Sequence, residues 1–172
     1  DHIPPLARIV RLLRDQGAAS GIQIGHAGRK ASSAVWWRGR FDETEDEKPL
    51  IGFEDWPTVG PSAIPHALNS SEYKVPHALA PFEMDDICAA FVAATQRAER
   101  AGFDFVEVHS AHGYLLHQFL SPIANQREDA FGGSLENRMR FPLSVAKAVR
   151  EAWPAEKPMF VRISAQDGIE GG

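Results

Sequence analysis

The chain has 172 residues, enough for one domain with a hydrophobic core. Hydrophobic residues make up 44% and charged residues 24%, the usual balance of a soluble globular protein. The net charge of −5 gives no support to nucleic-acid or membrane binding, no apolar stretch is long enough to cross a bilayer, and the single cysteine, Cys88, excludes an internal disulfide and fits the cytoplasm.

The first part of the chain predicts a helix, a strand and a long excursion. Residues 4–16 carry apolar side chains at helical spacing, and Gly17 follows as a stop. Residues 21–26 have the pattern of a strand. Residues 27–84 hold several prolines and three of the four tryptophans without a clear period, so we expect a packed excursion with short strands or turns. Within it, the acidic run 42–47 is expected to be a solvated loop.

A long helix is predicted after this excursion. Asp85 or Asp86 can cap a helix that runs to about Ala101, and Gly102 can end it. One face of this helix is apolar and is expected to be buried; it carries Ile87, Phe91, Ala94 and Ala98.

The rest of the chain predicts a strand, a loop, a helix and a strand. Residues 104–109 form the second strand, and residues 159–164 form the third. Between them, Ser134 can cap a helix that runs to about Trp153, and Pro142 inside it predicts a kink or a break. Because the strands alternate with helices, we expect an α/β fold with a parallel sheet.

Alternation along the three strands places polar side chains on one face of the sheet. That face carries Gln23, Glu107, His109 and Arg162. The opposite face is apolar and suits packing under helices; it carries Ile22, Ile24, Val106, Val108, Val161 and Ile163. An interior arginine and glutamine need partners. Either Arg162 pairs with Glu107 inside a barrel, or Gln23 and Arg162 hold an anionic or heteroaromatic ligand near His109.

Two histidines and a tyrosine follow the second strand within six residues, in the run His109-Ser110-Ala111-His112-Gly113-Tyr114. Parallel α/β folds place their sites at the carboxyl ends of their strands. Such a cluster can hold a carbonyl oxygen and deliver a proton beside it. Taken singly, each side chain has a simpler interpretation, such as a loop-capping histidine or a packed tyrosine.

Two other functional classes stay open at this point. His109 and His112 can be metal ligands of a hydrolase or lyase, with His26 and His117 completing the site, although the spacing matches no strong zinc pattern. Residues 131–134, Phe-Gly-Gly-Ser, either bind an anion or form a tight turn with a helix cap. The second of the two open classes is a non-catalytic, truncated remnant.

The chain resembles the Old Yellow Enzyme family of flavin-dependent oxidoreductases, also described as NADH:flavin oxidoreductases. The matching segments are residues 23–30, 106–122, 125–140 and 161–164, together with Trp56 and residues 61–64. The run from His109 to Pro122 is the most specific of them. With a second histidine at position 112, where other members have asparagine, the chain resembles the xenobiotic-reductase and NADPH-dehydrogenase branch of the family.

The resemblance implies that residues 1–172 are the central fragment of a single FMN-binding domain. Its fold would be a partial (β/α)₈ TIM barrel with about strands three to five, the excursion following the first of these, and with the N-terminal and C-terminal barrel parts missing. Because such a barrel needs about 250 residues, we expect the isolated chain to bind FMN weakly and to have little activity.

The activity implied is that of a cytoplasmic flavoprotein oxidoreductase, an NADPH dehydrogenase or ene-reductase. It would take electrons from NADPH or NADH and reduce a small activated alkene, such as an enone. Family members often form dimers or larger assemblies, so a homo-oligomer is an expectation, whereas nucleic acid and membrane are not expected as partners.

The resemblance also implies roles for five residues. Gln23 would bind the pyrimidine edge of the flavin, and Arg162 would stabilise negative charge near its N1 and O2. His109 and His112 would donate hydrogen bonds to the oxygen of the alkene's electron-withdrawing group, which draws hydride from the flavin onto the β-carbon. Tyr114 would then protonate the α-carbon as a general acid.

Overall fold

The computed structural model of the chain describes residues 2–32, 57–66 and 74–172. The helices are Ile3–Asp15 (α1), Pro81–Ala101 (α2), Leu115–Leu120 (α3) and Leu135–Ala152 (α4), and a short 3₁₀ helix spans Gly28–Lys30. The strands are Gly21–Ile24 (β1), Val59–Gly60 (β2), His77–Ala78 (β3), Phe105–Ser110 (β4) and Met159–Ile163 (β5). Trp56 and the acidic run 42–47 lie outside the described residues, so the predictions made for them stay predictions.

The main sheet has three parallel strands in the order β1-β4-β5. In its register Gln23 lies beside Glu107, and His109 lies beside Arg162. This arrangement confirms the parallel α/β fold predicted from the alternation of helices and strands. In the excursion, β2 and β3 pair as a second, two-stranded parallel sheet, which confirms the short strands expected there. No helix in the described ranges is long and apolar enough to cross a bilayer.

The hydrophobic core lies between the helices and the apolar face of β4. Val106 and Val108 are fully buried there. Over them α1 packs on α2, α2 on α4, and α4 on α3. The rings of Phe119 and Phe141 join α3 to α4, with their centroids 4.6 Å apart. The apolar face predicted for the second strand is therefore the face of β4 on which the core helices pack.

The burial predicted for the apolar face of the third strand is wrong. Val161 and Ile163 were expected under helices, but their exposed fractions are 47% and 65%. The reason is that β5 lies at the sheet edge and no helix of the described residues packs closely on it. Gln23 and Arg162, expected in an interior, are exposed as well, because three strands leave their face uncovered. An open edge of this kind favours aggregation.

Helix α2 begins at Pro81, ahead of the predicted caps Asp85 and Asp86. Ala80 is the residue before the helix, and its amide donates a 2.7 Å hydrogen bond to the Glu83 carboxylate. A proline in the first turn and an acidic side chain two positions later are typical of a helix start. The two aspartates therefore lie inside the helix and do not cap it.

The end of α2 is as predicted, because Gly102 has a left-handed φ of 93°. Helix α3 was not predicted; the sequence was expected to form a loop there. Its 6 residues are too few to show a helical period, and almost all of them are buried. Its two polar residues, His117 and Gln118, are buried together with its apolar residues, so no separate polar face indicates a helix.

Helix α4 confirms its predicted start, since the Ser134 hydroxyl accepts a 3.3 Å hydrogen bond from the Asn137 amide. This capping role explains the Gly-Gly-Ser turn without a bound anion. A kink or a break was predicted at Pro142; the break is wrong, because α4 continues through the proline to Ala152, and the kink stays a prediction. Phe141 and Val145, on either side of the proline, are both buried and hold the helix against its neighbours.

Phe119→Ala is expected to lower the free energy of unfolding by about 3–5 kcal/mol, since it empties a fully buried site beside Phe141. Phe82→Ala is the matched control, because its ring is 68% exposed. This second change should alter the free energy of unfolding by less than about 0.5 kcal/mol. Urea unfolding followed by circular dichroism measures both values, and equal losses would contradict this placement of the core.

Candidate functional site

The turn between β4 and α3 has an unusual backbone. His112 has a φ of 56°, in the left-handed region that few residues other than glycine adopt, and Gly113 follows with a φ of 71°. The two left-handed residues reverse the chain, and Tyr114 then precedes the first turn of α3. The reversal folds His112 and Tyr114 back towards the end of β4.

The three predicted side chains of this run lie together. The ring centroids of His109 and His112 are 5.1 Å apart, and those of His109 and Tyr114 are 5.0 Å apart. His109 is buried, with 7% of its surface exposed. His112 is exposed and Tyr114 is half-buried. The cluster therefore has a buried imidazole at its centre and two more accessible groups around it.

Burial sets the charge of the central imidazole. It lowers the pKa of His109, and electrostatic interactions with His112 and Arg162 lower it further, with Glu107 opposing them. His109 is therefore neutral near pH 7 and carries one N–H. Its Nδ1 is buried without a hydrogen-bond partner among the described residues. A buried polar atom of this kind is usually satisfied, so a bound molecule is an obvious partner.

The remaining predicted residues, Gln23 and Arg162, lie on the open face of the sheet beside this cluster. The Nε2 of Gln23 donates a hydrogen bond to Glu107 Oε1. Arg162 takes part in none of the ion pairs found among the described residues. The alternative pairing of Arg162 with Glu107 is not found among the described residues, where the register places Arg162 beside His109 and Glu107 beside Gln23.

Lys30, to which the sequence assigned no role, contacts the same turn. Its Nζ donates a 2.7 Å hydrogen bond to the His112 carbonyl oxygen and lies 5.5 Å from the centroid of the Tyr114 ring. Burial lowers the pKa of Lys30, and the neighbouring Arg29 adds to this effect. Lys30 could have been found from its position shortly after the carboxyl end of β1, where parallel sheets place site residues.

The alternative metal site is not assembled. The Nδ1 of His26 accepts a 3.0 Å hydrogen bond from the Gly28 amide, and the Nδ1 of His117 accepts a 2.7 Å hydrogen bond from the Gly113 amide. Across the part of the chain that the structure describes, no group of three or more histidine, cysteine, aspartate or glutamate side chains is arranged to hold a metal ion. These two histidines therefore serve the backbone turns around the site.

Comparison with known proteins gives an independent result. The profile of the NADH:flavin oxidoreductase / NADH oxidase family matches residues 1–172. The chain is 44% identical to an NADH:flavin oxidoreductase of Gibberella zeae, over 98% of this chain and 40% of that protein. It is 43% identical to an NADPH dehydrogenase of Clostridium acetobutylicum, over 96% of this chain and 42% of that protein. It is 41% identical to an NADPH dehydrogenase of Listeria innocua, over 100% of this chain and 43% of that protein. The chain spans about two fifths of the length of these curated relatives.

The free energy of unfolding is expected to fall as the pH drops below about 6.5. Burial lowers the folded-state pKa of His26, His66, His109 and His117. The unfolded chain therefore binds protons that the folded chain does not, so stability is present above the unfolded pKa and is lost as the pH falls towards the folded values. Thermal unfolding at pH values from about 7.5 to 5 measures this loss, because carboxylates protonate mainly below about pH 4.5.

His26→Asn is the control for this pH dependence. The asparagine oxygen can accept the Gly28 hydrogen bond that the imidazole accepts now, but it does not titrate in this range. The variant should therefore lose less stability between neutral and mildly acidic pH than the parent. A flat pH profile for the parent protein would contradict the lowered pKa values.

Proposed function

The chain belongs to the NADH:flavin oxidoreductase / NADH oxidase family, and we propose that its parent protein is an FMN-dependent NAD(P)H oxidoreductase that reduces activated alkenes such as enones. The family supports the flavin and the nicotinamide cofactor. The choice of substrate class rests on the cluster of His109, His112 and Tyr114 beside the open face of the sheet. Two adjacent donors and a phenol suit a carbonyl-activated alkene, which needs both polarisation and a proton.

The residues of the open face fit FMN. Its isoalloxazine ring has a hydrogen-bonding pyrimidine edge, and Gln23 and Arg162 offer a carboxamide and a guanidinium on one side of the sheet. The bond from Gln23 to Glu107 leaves the carboxamide oxygen available. The unpartnered Nδ1 of His109 is a further polar atom that a bound molecule can satisfy. Gln23 and Arg162 would hold the flavin, which supplies hydride transfer when bound.

His109 and His112 hold the oxygen of the substrate. Their ring centroids are 5.1 Å apart, so both N–H groups can approach one oxygen atom. Because burial lowers its pKa, His109 is neutral near pH 7 and donates a hydrogen bond through its single N–H. Negative charge that develops on the enone oxygen meets donors that are already in place.

Tyr114 delivers the proton to the α-carbon of the substrate. A phenol keeps its proton at neutral pH and can give it up to a carbanion-like centre. The Lys30 ammonium lies 5.5 Å from the centroid of the Tyr114 ring and supplies positive charge near the phenolate that remains. The solvent can then return the proton between turnovers.

We also propose that the chain is a central segment of the TIM barrel that the family implies, with about strands three to five. The open face with Gln23 and Arg162 supports this proposal, as does the fraction of each relative that the chain covers. An incomplete barrel should bind FMN weakly and turn over slowly, and robust turnover by the 172-residue chain alone would contradict that. A cytoplasmic location stays a prediction from the single cysteine.

Tyr114→Phe tests the proposed reaction in the full-length protein loaded with FMN. Under anaerobic conditions NADPH should bleach the flavin absorbance, and 2-cyclohexen-1-one should restore it. The variant is expected to bleach like the parent but to recover about 10²- to 10⁴-fold more slowly, because only the second step needs the phenol proton. Stopped-flow absorbance measures both steps.

Three outcomes would count against this proposal. Equal slowing of both steps would remove Tyr114 from the proton-donor role. Absence of bleaching by NADPH and by NADH in the parent protein would reject the flavin mechanism. Chelator-sensitive activity without a yellow chromophore would favour the metal-dependent alternative.

Arg162→Gln tests the proposed contact with the flavin. The change removes a charge-assisted hydrogen bond, so the dissociation constant of FMN is expected to rise by about 10- to 100-fold. Arg11→Gln is the matched control, since Arg11 is exposed on α1 and away from the sheet. Quenching of FMN fluorescence by the full-length apoprotein gives both constants, and the same constant in both variants would argue against this role.

A further inference from the structure

His117 is buried on α3, with both ring nitrogens occupied. Its exposed fraction is 8%. Its Nδ1 accepts a 2.7 Å hydrogen bond from the Gly113 amide, and its Nε2 lies 2.8 Å from Asp167 Oδ1. Because an amide N–H only donates, Nδ1 must be without a proton, and the ring proton is on Nε2 and points to Asp167. The contacts therefore select one neutral tautomer.

Asp167 is itself fixed in place. Its Oδ2 accepts a 2.6 Å hydrogen bond from the Ser121 hydroxyl. The same hydroxyl oxygen accepts hydrogen bonds from the Ile123 and Ala124 amides, at 3.2 and 3.0 Å. The loop after β5 is thereby tied to the end of α3. This arrangement keeps the acceptor for the Nε2 proton in one position.

The turn that His117 contacts needs such support. His112 has a left-handed φ of 56°, which is unfavourable for a residue with a side chain. Its amide donates a 3.0 Å hydrogen bond to the Ser164 hydroxyl, and its carbonyl accepts one from Lys30. The Gly113 amide, next along the chain, donates to His117. Side chains from three other parts of the fold therefore bind the backbone of this turn.

We propose that His117 is a positioning residue, which holds the His112–Gly113 turn through Nδ1 and so sets the places of His112 and Tyr114. Asp167 fixes the tautomer on which this hydrogen bond depends. The inference rests on the proposed function for the roles of His112 and Tyr114. His117 acts through the Gly113 amide and is not a catalytic residue.

Two substitutions at His117 separate its two hydrogen bonds. In His117→Asn the carboxamide oxygen lies about where Nδ1 lies and can accept from Gly113, but the side chain is too short to reach Asp167. In His117→Gln the longer side chain can donate to Asp167, but it places no acceptor beside Gly113. Both variants are made in the full-length protein with FMN bound, and thermal unfolding is recorded for each.

Hydrogen–deuterium exchange at the Gly113 amide is the direct measurement. Exchange is expected to stay slow in His117→Asn and to become about tenfold faster in His117→Gln, the change that follows from losing one hydrogen bond. Flavin reoxidation by 2-cyclohexen-1-one should slow by about tenfold in His117→Gln only. Added to Tyr114→Phe, His117→Gln should cause a smaller further loss, because the displaced phenol is already absent.

Other results would overturn the proposal. One is an equal rate of Gly113 exchange in the two variants. Another is slower flavin reoxidation in His117→Asn but not in His117→Gln. The last is an effect of His117→Gln on reoxidation that adds in full to that of Tyr114→Phe. If both variants fail to fold, nitrogen-15 NMR of the histidine rings in the parent protein decides, since a proton on His117 Nδ1 would reject the mechanism. If the parent protein does not reduce the enone, the proposed function fails, whereas the exchange data still test the turn.

Discussion

The parallel pairing of β4 with β1 on one side and β5 on the other is the constraint on which the candidate site depends. Parallel strands end at the same edge of a sheet, so the segments that follow them meet there. Lys30 comes after β1, the His112 turn comes directly after β4, and Asp167 comes after β5. Within the sheet, the register of β4 and β5 also places Arg162 beside His109. The topology of the sheet thus brings residues that are far apart in sequence into one small region.

The left-handed turn after β4 shows how this convergence is used. A turn with an unfavourable φ persists only where its surroundings hold it. Here the surroundings are the Lys30 ammonium, the Ser164 hydroxyl and the His117 imidazole, which bind consecutive backbone groups. The site and the framework that positions it are therefore built from the same loops, and a change in any of these loops would alter the site.

Much of this arrangement follows from the sequence. The alternation of strands with helices identified the parallel sheet, and the period of the strands placed Gln23 and Arg162 on one face. Ser134 and Gly102 marked helix ends correctly. Local pattern was insufficient for burial, because burial depends on what packs on each strand, and Val161 at the sheet edge is exposed. It was insufficient for α3 too, because its 6 residues, polar and apolar alike, are almost all buried and too few to show a helical period.

The turn itself could not be read from the sequence. Glycine at 113 permits a left-handed residue, but nothing in the local pattern indicates that His112 adopts the same conformation. The hydrogen bonds that hold it come from Lys30, His117 and Ser164, and only the tertiary fold brings these three together. The hydrogen bonds of His117 and Lys30 to this turn therefore became visible only in the structure, although the position of Lys30 after β1 already placed it near the site.

The two halves of the candidate site differ in how far this segment builds them. His109 is buried by the segment's own helices and strands, which lower its pKa and keep it neutral. The turn with His112 is likewise held by residues of the segment. Gln23 and Arg162, in contrast, lie on a face that three strands leave open. The groups that we propose to polarise and protonate a substrate are thus preorganised within the described residues. The proposed contacts of Gln23 and Arg162 to a flavin would gain their full strength only if further parts of a barrel excluded water from that face.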